Sequence, residues 1–154
     1  MSVPQRIDRF LALKRIAIVG VSHNEKDFSR SLFREFRKRG YDAVPVNPNV
    51  EEIDGLGCYK DLRSIAPPVE GVLVMTSPKQ TDAVVAECAA MGIGKVWMYR
   101  AGGKGSVSLP AVEFCERHGI EVVPGYCPHM FFPNTPVFHR IHALITRLTG
   151  TYPK

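Results

Sequence analysis

A chain of 154 residues, 45% of them apolar and with a formal charge of only +5, is the size of one domain with a real core. No apolar run approaches the ~18–20 residues needed to span a bilayer, and the mild, scattered charge argues against a nucleic-acid binder. The densest basic cluster, Arg34, Arg37, Lys38 and Arg39, alternates with Phe33 and Phe36 and reads as a solvated helix face, with no recognition motif or stacking platform beside it. Cys58, Cys88, Cys115 and Cys127 are too widely spaced for a disulfide framework. The first residues also lack the charged start and apolar stretch of a signal peptide, so a reducing cytoplasm is the expected setting.

The amphipathic segment 4–13 opens the chain. Residues 16–19 then form a short apolar run that breaks at Gly20 and a small hydroxyl residue, Ser22, before the helical pattern of 28–39. That helix is expected to bury Phe28, Leu32, Phe33 and Phe36. Further runs follow at 43–46, 71–75, 95–99 and 120–123, each short, continuous and rich in β-branched residues, as strands buried on both faces are. Helical patterns at 78–91 and 108–118 lie between them, the first opening on Pro78 and the second carrying Pro110 near its start. Residues 50–68 carry only a weak helical patch at 59–65. A terminal helix at about 134–149 is expected from Val137, Ile141, Leu144, Ile145 and Leu148. Repeated strand–helix alternation with right-handed crossovers implies an α/β, Rossmann-like, doubly wound parallel sheet of about five strands in a single domain over 1–154.

In such a sheet the ligand lies beyond the carboxyl ends of the strands. Those ends here supply Gly20, Val21 and Ser22; Val46, Asn47 and Pro48; Thr76, Ser77 and Pro78; and Tyr99 and Arg100. The first turn suits phosphate, because glycine lets backbone N–H groups approach it and a helix N-terminus favours negative charge. The dinucleotide fingerprint of three spaced glycines is absent, and Asn47-Pro48 stands where an NAD site places its ribose-binding acid. Asp42 lies at the wrong end of that strand. A nucleotide-like ligand is expected, held otherwise than NAD.

Val19-Gly20-Val21-Ser22, Val46-Asn47-Pro48, Cys58-Tyr59-Lys60-Asp61-Leu62, Val96-Trp97-Met98 and the stretch 119–127 occur in register over roughly residues 10–130. Together they resemble the small single-domain CoA-binding proteins, relatives of the CoA-binding domain of the succinyl-CoA synthetase alpha subunit. The resemblance implies bound coenzyme A or acyl-CoA, its ADP part over the first two strand ends and pantetheine running past the third and fourth. Carried over by position, Gly20, Val21 and Ser22 would meet the phosphates. Val46, Asn47 and Pro48 would line the adenosine, Thr76, Ser77 and Pro78 would pack on the ligand, and Tyr99 and Arg100 would line the pantetheine path. The synthetase domain has a phosphate-binding lysine just after the proline of its second strand, where this chain has Asn49-Val50; Arg30 is the substitute expected from the sequence.

The synthetase's phosphorylated histidine belongs to a second domain, and no nucleophile elbow or paired acids are readable. Non-catalytic binding is therefore the expectation, with no metal and with room for a protein partner or homo-oligomer. The alternative is an NAD(P)-linked oxidoreductase, or a CoA-linked transferase or ligase subunit that needs a partner chain. Cys127 stands near the expected pantetheine end, where an exposed thiolate would permit a mixed disulfide. A metal reading of Cys127, His129, His139 and His142 lacks any standard zinc spacing.

Overall fold

Successive residues of a strand face opposite sides of a sheet, and here both sides are apolar. In the computed structural model, which describes residues 1–101, 103 and 105–133, strands β1 (Arg15–Val19), β2 (Asp42–Val46), β5 (Gly71–Val74), β6 (Lys95–Met98) and β7 (Glu121–Pro124) form one parallel sheet. Ile16, Ile18, Ala43, Leu73, Trp97 and Val123 point to the face covered by α1 (Val3–Leu11) and α2 (Phe28–Lys38). Ala17, Val19, Val44, Val46, Val72, Val74, Val96, Met98 and Val122 point to the face covered by α3 (Pro78–Met91) and α4 (Leu109–Arg117). A sheet with two dry faces needs helices on both, and that requirement fixes the layered α/β architecture.

The strand order is β2-β1-β5-β6-β7, so the chain winds one way from β1 and then the other, the doubly wound arrangement expected. Trp97, fully buried, donates its Nε1–H to the carbonyls of Gly125 and Tyr126 at 2.9 and 3.1 Å and meets Phe10 edge-on. Its indole fixes the chain after β7 against the α1 face.

Two local expectations fail. Phe28 is 43% exposed, because at the first turn of α2 it projects beyond the sheet end that buries Leu32, Phe33 and Phe36. Residues 59–65 are not helical. Tyr59 donates its N–H to the Pro45 carbonyl and accepts from the Asn47 N–H, extending the edge of β2 instead. Ahead of it lies a hairpin absent from the sequence reading, β3 (Glu52–Ile53) and β4 (Leu56–Gly57), turned by Asp54-Gly55 with φ of +51° and +79°. Positive φ at both turn positions is the signature of an Asp-Gly hairpin. The arginines of α2 are largely spoken for. Arg34 binds Asp54, Arg37 donates to the Ala43 carbonyl, and Arg39 binds Glu35 and lies over the Phe132 ring. The terminal segment 134–149, with His139 and His142, lies outside the described residues.

Candidate functional site

Where strand order reverses beside β1, the loops after β1 and β5 diverge to opposite faces and leave a crevice between them. Gly20 begins the first of these loops at φ of +98°, and a Cβ on it would lie 3.0 Å from the Met75 carbonyl carbon and 3.2 Å from the Thr76 nitrogen. The glycine is therefore demanded by the packing of two strand ends as well as by the turn. Val21 is fully buried, and its carbonyl accepts from Asn47 Nδ2 at 2.9 Å.

The loop itself is heavily internally bonded. Ser22 receives the Asn24 N–H on its hydroxyl at 3.0 Å and donates its own N–H to Ser29 Oγ at 2.9 Å. Asp27 caps α2, accepting from the Ser29 N–H and hydroxyl at 2.9 and 2.6 Å. A carboxylate thus already occupies the helix end that the sequence reading offered to phosphate. Arg30, expected to be the free phosphate cation, is 4% exposed and paired with Asp54 at 2.5 Å, so its charge is spent inside the protein.

Hydrogen bonding from Arg34 first, with a further contribution from Arg30, outweighs partial burial and holds Asp54 at about 2. A folded-state value below the ordinary 3.8 means that the contribution is complete above about pH 4 and is lost as pH falls towards 2. Urea midpoints of wild type and Asp54→Asn should therefore differ at pH 7 and converge below pH 4. A gap that stays constant down to pH 2.5 would contradict this.

On the α3 face the crevice deepens into a cleft of about 240 Å³. Val19 and Val46 line it from the strand ends, Ala83 and Val84 from α3, and Pro48 and Leu62 from the loops. Its polar lining is Lys60, Asp61, Thr76, Gln80 and Glu87. Glu87 accepts the Leu62 N–H at 2.5 Å and so pins the 60–62 segment over the cleft. Lys60 is exposed and has no carboxylate partner among the described residues. Its stretch carries the family resemblance, but no role is read for its charge from the sequence; the available signal is a lysine two residues before the buried Leu62.

Thr76, Ser77 and Pro78 form the opening of α3, and Ser77 makes no side-chain cap bond there. Thr76 pairs its hydroxyl with that of Thr81 at 3.2 Å. Tyr99 lies across the sheet end on the other face, its ring 5.5 Å from Phe28, which in turn meets His129 at 5.8 Å. Burial, with Cys127 nearby, pushes the Tyr99 hydroxyl up to about 12, so it stays neutral at physiological pH. Arg100 is exposed. Cys127 is buried, and that burial raises its thiol, the opposite of what a reactive thiolate needs.

The structure thus gathers Val46, Pro48 and Thr76 around one cleft and joins Ser22, Arg30 and Asn47 in one bonded loop. Tyr99 lies apart from both groups with Phe28. Among the described residues there is no group of three or more His, Cys, Asp or Glu side chains arranged to hold a metal, and no helix long and apolar enough to cross a membrane.

Comparison with known proteins follows the same outline. The alpha subunit of ADP-forming acetate–CoA ligase II from Pyrococcus furiosus is 25% identical over 129 residues, 79% of this chain but 28% of that protein. The chain therefore spans little more than a quarter of that ligase subunit. Bacillus subtilis YneT, described as uncharacterized, is 27% identical over 114 residues, 74% of this chain and 82% of its own. A hypothetical protein from Pyrococcus horikoshii OT3 superposes with a TM-score of 0.75 at 25% identity, covering 83% of this chain and 87% of that one. The dinucleotide-forming acetyl-coenzyme A synthetase 1 of Ca. Korarchaeum cryptofilum shares the fold, with a TM-score of 0.65 at 22% identity over 75% of this chain and 26% of that one. The family model described as CoA binding domain matches residues 14–133, from just before β1 to the last described residue, and the chain belongs to that family.

Proposed function

We propose that this protein binds coenzyme A or an acyl-CoA and has no turnover of its own. The observation that carries the reading is the cleft between the ends of β1 and β2 and helix α3, apolar within and with the unpaired Lys60 among its lining residues. A purine fits such a slot through its faces, and the ammonium supplies the charge for one of the ligand's phosphates. Val46, Pro48 and Thr76 border the adenosine in this arrangement. Ser22 and the β1–α2 loop face the diphosphate, and pantetheine leaves past Ser77, Pro78, Tyr99 and Arg100. The competing NAD reading is disfavoured at Asn47. Its Nδ2 holds the Val21 carbonyl and its Oδ1 the Asn49 N–H, and no carboxylate stands there to take both hydroxyls of a ribose diol.

Native mass spectrometry of the purified protein tests this directly. A CoA-sized adduct, carried or acquired on addition, is expected; a nicotinamide dinucleotide adduct would favour the oxidoreductase. Lys60→Ala should weaken CoA about 10-fold, ~1.4 kcal/mol, and flatten the salt dependence of binding. Unchanged affinity in titration calorimetry would move the phosphate elsewhere.

The ligase activities named for relatives belong to much longer proteins, and any chemistry on a thioester held here falls to a partner chain or a second copy. Incubation with acyl-CoA, with succinate plus a nucleoside triphosphate, or with NADH should give no turnover. Turnover lost on mutating one residue of this chain would refute the point.

A further inference from the structure

Arg30, which packs against the β1–α2 loop, is not offered to solvent. Arg30 Nη1 donates to the carbonyls of Ser22 and His23 at 3.3 and 3.0 Å, and Nη2 to Asp54 Oδ1 at 2.5 Å. Its Nε, also buried, has no partner among the described residues. Arg34 completes the carboxylate, with Nε 2.8 Å from Oδ2 and Nη2 2.9 Å from Oδ1. Asp54 occupies the tip of the β3–β4 hairpin at φ of +51°, a conformation that aspartate tolerates better than most residues. The guanidinium fork therefore ties the loop to the hairpin, and Arg34 braces the tie from the next turn of α2.

Asn47 Nδ2 draws in the Val21 carbonyl in the same way. The carbonyls of Val21, Ser22 and His23 are thus all held by side chains of other elements. In a planar trans peptide the C=O and N–H point in opposite directions. The N–H groups of Ser22, His23 and Asn24 are consequently turned to the other side of the loop. Two of them have partners, Ser22 on Ser29 Oγ and Asn24 on Ser22 Oγ. The His23 N–H has none among the described residues.

We propose that Arg30, fixed by Asp54 and Arg34, is a positioning residue that holds the His23 N–H outward as the loop's donor to a phosphate of the ligand. The inference rests on the coenzyme A reading above and replaces direct Arg30–phosphate contact, because both terminal nitrogens of Arg30 are already engaged, with Asp54 and with the loop carbonyls. It also explains how a loop whose helix end is capped by Asp27 can still receive an anion. The donor is one outward-facing peptide, and a buried arginine neutralises the carbonyls behind it.

The experiment uses Arg30→Lys and Asp54→Asn in the full chain, with ADP, coenzyme A and adenosine as probes. In the free variants, amide exchange measured by NMR should quicken at Ser22 and Asn24, whose N–H groups are bonded within the loop, while β1 and β5 keep their protection. Titration should show ADP and CoA weakened by a common factor of about 10, the cost of lost preorganisation, with adenosine unchanged. In the wild type the His23 amide resonance should move on ADP binding.

Arg30→Lys keeps the charge but not the fork. Wild-type ADP affinity in that variant would therefore make Arg30 a simple cation and overturn the proposal. Adenosine weakened as much as ADP would reduce the clamp to a support of the fold. Unchanged Ser22 and Asn24 exchange in free Asp54→Asn would overturn the clamp itself, whereas absence of any CoA or ADP binding to wild type would overturn the function proposed above.

Discussion

Ala83→Phe is expected to abolish coenzyme A binding while leaving the protein folded. Ala83 is exposed on α3 and lines the cleft beside Val84. A phenyl ring at that position occupies the space of a planar base without entering the core beneath Val85 and Cys88. The helix loses little, since replacing alanine by phenylalanine costs at most about 0.7 kcal/mol in propensity. We expect affinity to fall at least ~100-fold, ~2.7 kcal/mol, with the melting temperature lowered by no more than about 3 °C. Calorimetric titration beside a thermal melt checks both halves. Affinity within a few-fold of wild type would show that the base sits elsewhere.

Gly20→Ala is expected to do the reverse, acting first on the fold. At φ of +98° an alanine is strained, and its Cβ would stand against the Met75 and Thr76 backbone, which cannot swing aside as a side chain can. Backbone strain and overpacking together should cost about 3 kcal/mol, which for a chain of this size lowers the melt by about 10 °C. A native melt with lost CoA affinity would mean instead that the glycine serves only ligand approach. The glycine was recognisable in the sequence as a strand-ending residue, but its reason was not. The crowding comes from residues 55 and 56 positions further along the chain, which only the β1–β5 pairing brings close.

The same distinction separates what else was legible. Each of the five parallel strands lies within a residue of its expected place at either end, because a strand buried on both faces must be a continuous apolar run. Pro78 marked the start of α3 for an equally local reason. The hairpin at 52–57 escaped notice although Asp54-Gly55 is a strong turn signal, since its strands are too short to show a period. Arg30 was legible as a cation near the loop but not as a spent one, because its partner, Asp54, arrives through that overlooked hairpin. Lys60 was passed over for a related reason. Residues 59–65 carried a faint helical pattern, whereas the edge pairing of Tyr59 with β2 and the Glu87 bond to Leu62 lay that stretch along the cleft.

The central claim is that the carboxyl ends of this sheet hold coenzyme A rather than a nicotinamide dinucleotide. Parallel titration calorimetry of the wild-type protein with CoA and with NAD tests it most directly. The cleft lysine and the amide of Asn47 in place of a ribose-binding carboxylate predict that CoA binds at least ~10-fold more tightly, a difference of ~1.4 kcal/mol. Equal or tighter binding of NAD would contradict the account.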